Sequence, residues 1–374
     1  MFRNRQHETI NEFPRKCSQG LRHAAYRIIV TNKGIGRPCA GERMRTIPLL
    51  IIAGPTAIGK TRVAIEVAES LNGEIVGADS MQIYRYMDIG TAKPSPAERS
   101  RIPHHLLDVR DPDQEFSVAE YVTEATAAIR SIYARGRLPV LVGGSGLYIE
   151  KLLYGIFKGP GRDENFRQEM QALAARSGPQ AIYERLQHCD PDTAKRVHPN
   201  DLVRTIRALE VFQLSGLPIS VHQREATTPI SRYEAMFCVL YAEREAVYHR
   251  INTRVELMAA GGLVDEVRSL YARGYDRKLR SMQSLGYKEI GNFLAGECDL
   301  PSALELMKRN TRRYAKRQLL WFRKYEHARW IERRPMEDVE KDRSSPSRSI
   351  LTAWASYKSG SSACVDSESS GRSS

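Results

Sequence analysis

Eight consecutive residues, Gly54, Pro55, Thr56, Ala57, Ile58, Gly59, Lys60 and Thr61, fit the pattern G-x-x-x-x-G-K-[ST], a spacing suited to holding phosphate. Its glycines let the backbone wrap so that successive N–H groups and the start of a following helix point at phosphate oxygens. Lys60 adds a cation, and Thr61 offers a hydroxyl to Mg²⁺. The motif specifies phosphate without specifying the compound that carries it. Enzymes that move a γ-phosphoryl group usually hold Mg²⁺ with an Asp that closes a later apolar strand. Here the apolar run 138–142 closes instead with Gly143, Gly144 and Ser145. An acid does close another short apolar run, at Asp79. A carboxylate there suits a general base or a metal ligand, and it equally suits a helix cap or a solvated turn.

The apolar run Ile47–Ala53, entering a loop at Gly54, predicts a buried parallel strand. Val63, Ala64, Val67, Ala68 and Leu71 then share one helical face, with a stop at Asn72 and Gly73. Residues 74–78 predict a second strand. Ser117 and Glu120 form a capping box that opens a helix turning Tyr121, Ala125, Ile129 and Ile132 inward, and 138–142 is the next strand. This alternation predicts an α/β fold with a P-loop doubly wound parallel sheet, whose ligands sit at the carboxyl ends of its strands. The P-loop, Asp79 and Ser145 all lie at that edge. Residues 156–230 turn polar and helical in pattern, broken at Gly159, Pro160, Gly161, Pro199 and Asn200, and predict a helical insertion domain. Tyr233–Tyr241 predicts a returning strand, followed by helices over 244–273 and 300–325, the last strongly basic. The catalytic core is therefore expected over 46–155 and 231–335.

The 374 residues leave room for two or three domains. No stretch approaches the roughly 20 apolar residues of a membrane-spanning helix. Lys and Arg outnumber Asp and Glu 57 to 44, a net charge of +13, so a polyanionic partner is expected. Six cysteines form no C-x-x-C pair, which suggests neither a zinc site nor a disulfide framework and fits the cytoplasm. His104 and His105 lack spaced Cys or Asp companions and read as turn or core. Gly34 and Gly36 lack the third glycine of a dinucleotide fingerprint, because Cys39 stands there. Residues 1–45, with ten Lys or Arg against three Glu and no continuous apolar core, read as a dispensable extension or an overcalled start before Met44, with an Arg-rich presequence as the alternative. Residues 342–374 hold thirteen Ser with little periodicity, so 336–374 is expected to be a disordered tail. A chain from Met44 to about residue 340 is then expected to fold and to keep full activity.

Between Lys308 and Lys324 stand Lys308, Arg309, Arg312, Arg313, Lys316, Arg317, Arg323 and Lys324 with no acid, a charge of +8 in 17 residues. A merely solvated face would mix signs, so contact with a phosphate backbone is favoured. Trp321 and Trp330 read as packing residues of this region and not as base-stacking ones.

Around the P-loop stand further long motifs. They are Ala78-Asp79-Ser80-x-Gln82-x-Tyr84, Met87 to Pro94 (MDIGTAKP), His105 to Pro112 (HLLDVRDP) and Val142 to Tyr148 (VGGSGLY). Arg196 to Asp201 (RVHPND), Arg204-x-x-Arg207 with Glu210, Leu285-Gly286-Tyr287 and Thr311 to Gln318 (TRRYAKRQ) follow in order. With these motifs the chain resembles the tRNA dimethylallyltransferase family, the tRNA isopentenyltransferases or IPP transferases, over about 47–332. The resemblance implies transfer of a dimethylallyl group from dimethylallyl diphosphate to N6 of the adenosine next to the anticodon, in tRNAs reading codons that begin with U, with release of diphosphate. By it, Asp79 accepts the N6 proton, Ser145 sits near the reacting centre, and Arg254 holds the diphosphate with Lys60, Thr61 and Mg²⁺. The same resemblance puts four segments against the tRNA anticodon stem-loop. These are Asp79, Ser80, Met81 and Gln82; Val203, Arg204, Thr205, Ile206 and Arg207; Gln283, Ser284, Leu285, Gly286, Tyr287 and Lys288; and Thr311, Arg312, Arg313, Tyr314, Ala315, Lys316, Arg317 and Gln318. A monomer in the cytoplasm is expected.

Two positions depart from the family pattern. Ser145 stands where Thr is usual, keeping the hydroxyl and losing a methyl that restricts its rotamer. Val203 stands where Gln is common, which removes one polar contact. Three other readings share parts of this pattern. An adenylate isopentenyltransferase would alkylate a free nucleotide, and the insertion and basic helix disfavour it. The missing strand-end acid disfavours a small-molecule kinase, and the intact Lys60, Thr61 and Asp79 disfavour a non-catalytic RNA-binding protein.

Overall fold

The computed structural model describes residues 46–156, 159–225, 233–333 and 345–366. The readings made for residues 1–45 lie outside the described residues. In chain order the elements are β1 (Ile47–Ala53), α1 (Lys60–Ser70), β2 (Gly73–Ala78), α2 (Pro96–Arg101), β3 (His104–His105), α3 (Val118–Ala134), β4 (Leu138–Gly143), α4 (Gly146–Tyr154), α5 (Glu164–Ser177), α6 (Pro179–Cys189) and α7 (Pro191–Ala194). Then come α8 (Leu202–Ser215), α9 (Ile219–Glu225), β5 (Tyr233–Tyr241), α10 (Arg244–Ala260), α11 (Leu263–Ala272), α12 (Tyr287–Leu294), α13 (Leu300–Phe322), β6 (Arg329–Glu332) and α14 (Pro346–Asp366).

Among the described residues six parallel strands form one sheet in the order β3-β2-β4-β1-β5-β6. Because successive side chains of a strand point to opposite faces, β1 feeds two cores at once. Leu50 and Ile52 pack with Val63, Ala64, Val67 and Ala68 of α1 and with Val247 and Ile251 of α10. Leu49, Ile51 and Ala53 pack with Tyr121, Ala125, Ile129 and Ile132 of α3 and with Tyr148 and Ile149 of α4. The capping box at Ser117 and Glu120 is formed, and it starts α3 in the register that turns those four residues inward. In this register Ala53 pairs with Gly143, and Gly143 with Ala78, so the ends of β1, β4 and β2 lie side by side. That alignment is what brings the P-loop, Asp79 and Ser145 together. His104 and His105 form the short β3, with His105 bonded to the buried Glu74 at 2.7 Å.

Two further cores flank the sheet. One joins the loop residues Ile83, Tyr84 and Met87 to α10, α11, α12 and α13 through Val255, Val267, Leu270, Ile290 and Met307. The other belongs to α5–α9 alone, with Met170, Ile182, Leu186, Leu209 and Val211 buried together. At its centre Glu210 is fully buried, bonded to Arg167 Nε at 2.6 Å, Arg207 Nη1 at 2.5 Å and the Asp163 N–H at 2.8 Å. Burial alone would raise its carboxyl, but these donors override it and hold Glu210 down at about 2.

The serine-rich end corrects the sequence reading. Residues 346–366 form a helix, not a disordered tail, and α14 seats Ile350 and Trp354 in the same core as α1, with Ser347 bonded to Glu66 of α1. The apolar positions were diluted by serine, yet Ile350, Trp354 and Tyr357 recur at helical spacing. A chain ended near residue 340 therefore loses part of its core, against the expectation stated above. Trp354→Ala is expected to cost about 3 kcal/mol of stability, the scale of a large buried aromatic truncated in place. Urea unfolding of the two full-length proteins measures it; a midpoint shared with wild type would show that α14 contributes nothing to the core.

Candidate active site

Gly54 leaves β1 and the P-loop returns into α1 through Gly59, which sits at φ +88° as the helix N-cap. A side chain would be strained in that left-handed conformation, so the pattern requires glycine there. Lys60 Nζ folds back onto the carbonyls of Gly54 at 3.1 Å and Pro55 at 2.9 Å. Thr61 is half-buried in the first turn of α1. Pro55, Ala57 and Ile58 are buried beneath the loop, and Thr56 is tied on two sides. Its N–H donates to Gln318 Oε1 at 2.8 Å, and its hydroxyl meets Arg254 Nη1 at 3.4 Å.

Asp79 closes β2 directly across this edge. Its Oδ1 accepts the N–H groups of Met81 at 2.9 Å and Gln82 at 3.4 Å, while among the described residues no hydrogen bond reaches Oδ2. The carboxylate is thus oriented by its own turn and keeps one oxygen for another molecule. Burial lowers the Lys60 ammonium to about 8, with Asp79 opposing the shift and Arg254 adding to it. These couplings place Asp79, Lys60 and Arg254 in one neighbourhood. Burial also lowers the Arg254 guanidinium. Such cations are unfavourable without an anion between them.

At the end of β4 the structure explains the missing acid. A Cβ on Gly143 would collide with the Ala78 carbonyl, and one on Gly144 with the Gln318 amide. There is no room for an aspartate at Gly143, where the obstacle is backbone, and one at Gly144 would displace the Gln318 amide. Ser145 follows, its Oγ accepting the Ser80 N–H at 3.1 Å and its N–H donating to Ala78 O at 3.0 Å. Tyr314 of α13 lies beside Ser145, Gln318 and Asp79, and burial followed by the Asp79 charge pushes its phenol up. Gln318 is a clasp: besides Thr56, it donates Nε2 to Gly144 O at 3.0 Å and is buried.

The segments expected at tRNA are placed unevenly. Ser80, Met81 and Gln82 are half-buried beside Asp79, and Gln82 Nε2 holds the carbonyls of Thr91 and Ala92, each at 3.1 Å. Val203 is 78% exposed and Arg204 is exposed, but Thr205 and Ile206 are buried in the insertion core. Arg207 is turned inward onto Glu210 and the carbonyls of Gly161 at 3.0 Å and Pro160 at 2.9 Å. Gln283 and Lys288 are exposed, Ser284 and Leu285 half-buried, and Gly286 and Tyr287 buried. The Tyr287 hydroxyl donates to Glu266 at 2.6 Å. Glu266 also accepts the N–H groups of Asp88, Ile89 and Gly90, fixing the loop that runs on from Asp79. On α13, Arg313, Lys316 and Arg317 face solvent, Thr311 and Arg312 are half-buried, and Ala315 is buried.

The basic stretch is less open than its +8 charge suggests. Lys308 is paired with Glu256 at 3.0 Å and Glu305 at 2.7 Å, Arg312 bonds Asn252 at 2.7 Å, and Lys324 pairs with Glu150 over the Trp321 ring. Arg309, Arg313, Lys316, Arg317 and Arg323 remain as an exposed stripe at helical spacing. Trp321 packs with the core beside α4, and Trp330 makes an edge contact with Tyr241.

A P-loop at the end of β1, a carboxylate facing it from β2 and a glycine-closed β4 define a P-loop α/β protein with its loop and carboxylate at one sheet edge. The IPP transferase family model matches residues 82–325. The chain is 50% identical over 286 residues to tRNA dimethylallyltransferase 2 of Geotalea uraniireducens, covering 76% of this chain and 92% of that protein. The crystal structure of the tRNA isopentenylpyrophosphate transferase of Bacillus halodurans superposes with a TM-score of 0.61 at 40% identity, over 84% of this chain and 98% of that one. A eukaryotic dimethylallyltransferase acting on tRNA gives a TM-score of 0.69 at 29% identity, over 82% and 78%. The chain belongs to the IPP transferase family.

The lowered Lys60 ammonium sets a pH dependence. Its cation is nearly complete at pH 7 and below and is lost as pH rises through about 8 in the free protein. Affinity for a diphosphate ester is therefore expected to fall between pH 7 and 9, with uptake of a proton on binding in that range. Calorimetry in buffers of different ionisation enthalpy reads the proton directly. Binding without proton uptake near pH 8 would contradict the assignment.

Proposed function

We infer that the protein transfers the dimethylallyl group of dimethylallyl diphosphate to N6 of the adenosine next to the anticodon of tRNA, releasing diphosphate. The observation that carries the reading is the carboxylate of Asp79, held by its own turn with Oδ2 unengaged, across the P-loop mouth from Lys60 and Arg254. In the reaction the bond from the allylic carbon to oxygen breaks and the bond from N6 to that carbon forms. The leaving oxygens gain negative charge, which the loop N–H groups, Lys60 and Arg254 stabilise. The N6 lone pair is delocalised into adenine, so attack becomes productive as Asp79 takes the N6 proton. Ser145 and Tyr314 line the same centre. The adenosine leaves its stack to reach this pocket.

Mg²⁺ suits this site as a partner of the substrate. Among the described residues no group of three or more His, Cys, Asp or Glu could cage a metal ion. The hydroxyl of Thr61 is a hard oxygen donor at the start of α1, and Mg²⁺ is commonly held by one or two protein oxygens together with substrate phosphates. Bound there with the substrate, it would supply positive charge to the leaving diphosphate.

The exposed stripe of α13 grips the anticodon stem-loop backbone in this reading, together with Arg204, Gln283 and Lys288. Thr205, Ile206 and Arg207 shape the insertion behind Val203 and Arg204 without presenting side chains to RNA. Arg313→Gln is expected to raise KM for tRNA and to reduce the log–log salt slope of binding by about one unit, leaving KM for dimethylallyl diphosphate unchanged. Filter binding over a salt series checks this; an unaltered slope would exclude Arg313 from the interface. We place the enzyme in the cytoplasm as a monomer, where tRNA is available and its free Cys189, Cys238 and Cys298 stay reduced. Among the described residues no helix is long and apolar enough to cross a membrane. Labelled dimethylallyl diphosphate offered with tRNA or with AMP tests the acceptor: label in tRNA alone is expected, and label in AMP alone would assign a free-nucleotide enzyme.

A further inference from the structure

Arg333 lies immediately beyond β6, outside the residues matched by the family model and far in sequence from the P-loop. Its N–H donates to Tyr241 O at 2.7 Å, which anchors it at the end of β5, next to β1. From there its guanidinium reaches across to the P-loop. Nη1 donates to Ile58 O, and a Cβ on Gly59 would collide with the guanidinium. The carbonyl of Ile58 and the N–H of Gly59 belong to one trans peptide unit and so point in opposite directions. In a phosphate-binding loop the N–H groups turn inward. An inward Gly59 N–H requires an outward Ile58 carbonyl, and that carbonyl is the atom Arg333 holds.

We propose that Arg333 is a positioning residue for the diphosphate: by gripping the Ile58–Gly59 peptide from outside, it keeps the Gly59 N–H aimed into the anion cradle and places a cation behind it. The proposal rests on the reading of the P-loop as the diphosphate site. Two physical effects act together. A charged donor on a carbonyl polarises the whole peptide unit and strengthens the hydrogen bond its N–H makes. The guanidinium also adds to the positive field of Lys60 and Arg254 without occupying the space that the diphosphate needs. The surroundings fit a ligand role better than a purely structural one. Burial, with Arg250, Arg62 and Arg254 nearby, lowers Arg333 to about 10, Glu66 opposing. A cation gathered among other cations is unfavourable until an anion joins them. Gly59 takes part on both counts, because its φ of +88° strains any side chain and a Cβ there would push the guanidinium off its seat.

Calorimetry on full-length wild type, Arg333→Gln, Arg333→Lys and Lys60→Ala, titrated with inorganic pyrophosphate in the presence of Mg²⁺, tests the proposal beside thermal melts and steady-state kinetics. Arg333→Gln is expected to weaken pyrophosphate and to raise KM for dimethylallyl diphosphate by about ten-fold, the scale of one charge-assisted hydrogen bond. KM for tRNA should change less than about three-fold, because no tRNA contact is altered, while kcat falls less than in Lys60→Ala, because the direct contacts to the leaving oxygens remain. Arg333→Lys should recover part of the affinity, since it restores the charge but not the planar fork. The binding stoichiometry reports the folded fraction, so a loss of folded protein is read separately from a loss of affinity. If Arg333→Gln binds pyrophosphate as wild type does while Lys60→Ala does not, Arg333 is a structural anchor and the proposal falls alone. If Lys60→Ala also binds normally, the P-loop is not the diphosphate site, and the functional reading falls with it.

Discussion

Asp79→Asn lowers the single-turnover rate of prenyl transfer by about 10²–10⁴-fold, the usual contribution of a general base. The substitution is a clean one in this structure. The turn is made by Oδ1, which accepts from Met81 and Gln82, and the asparagine carbonyl oxygen can take over both bonds. What changes is Oδ2, which becomes an NH₂ group that cannot accept a proton from N6. Stability should therefore move by no more than about 1 kcal/mol, the scale of a lost cap. A capping role alone predicts that Asp79→Asn, which keeps both turn bonds, leaves melting temperature and turnover alike near wild type. If rates at saturating tRNA and dimethylallyl diphosphate stay within a few-fold of wild type, Asp79 is not the base.

Lys60→Ala loses diphosphate binding and reaction together, with kcat/KM for dimethylallyl diphosphate falling by about 10²–10³-fold or more, as for other preorganised groups at a developing negative charge. In the free protein Lys60 rests on the Gly54 and Pro55 carbonyls, so its removal opens the loop as well as removing a charge. The wild type is expected to show no tRNA-stimulated ATP hydrolysis, because β4 closes on Gly143, where the Ala78 backbone leaves no room for the acid that γ-phosphoryl transfer uses. Phosphate release from ATP in the presence of tRNA measures this, and substantial turnover would move the protein to another class.

What could be read from the sequence was what is local. The P-loop is a turn and a helix start within eight residues, and Asp79 and Ser145 each close a strand, so pattern alone placed them at one edge. Roles that depend on distant partners were hidden. Gln318 clasps Thr56 from 262 residues away, and Arg333 grips Ile58 from 275 residues away, through contacts that no spacing encodes. The motif around Arg207 suggested RNA, but Glu210 one turn later draws its guanidinium inward. An acid within the apolar helical stretch 206–211 was the available signal. The basic stretch of α13 misled by omission, since the acids that neutralise Lys308 and Lys324 include Glu256 and Glu150 on other elements. The C-terminal helix was concealed by composition: serine-rich sequence reads as solvated, although Ile350 and Trp354 are enough to dock it.

The reaction is a coupled exchange, one dimethylallyl group gained by one tRNA adenosine for each diphosphate released. Its most direct test incubates the full-length protein with tRNA, dimethylallyl diphosphate and Mg²⁺, measures released diphosphate, and identifies the modified nucleoside by mass spectrometry of digested tRNA. The expected result is one N6-dimethylallyl adenosine per diphosphate, located beside the anticodon and absent from a tRNA carrying guanosine there. Diphosphate released without a modified adenosine, or a modification at any other position, would contradict it.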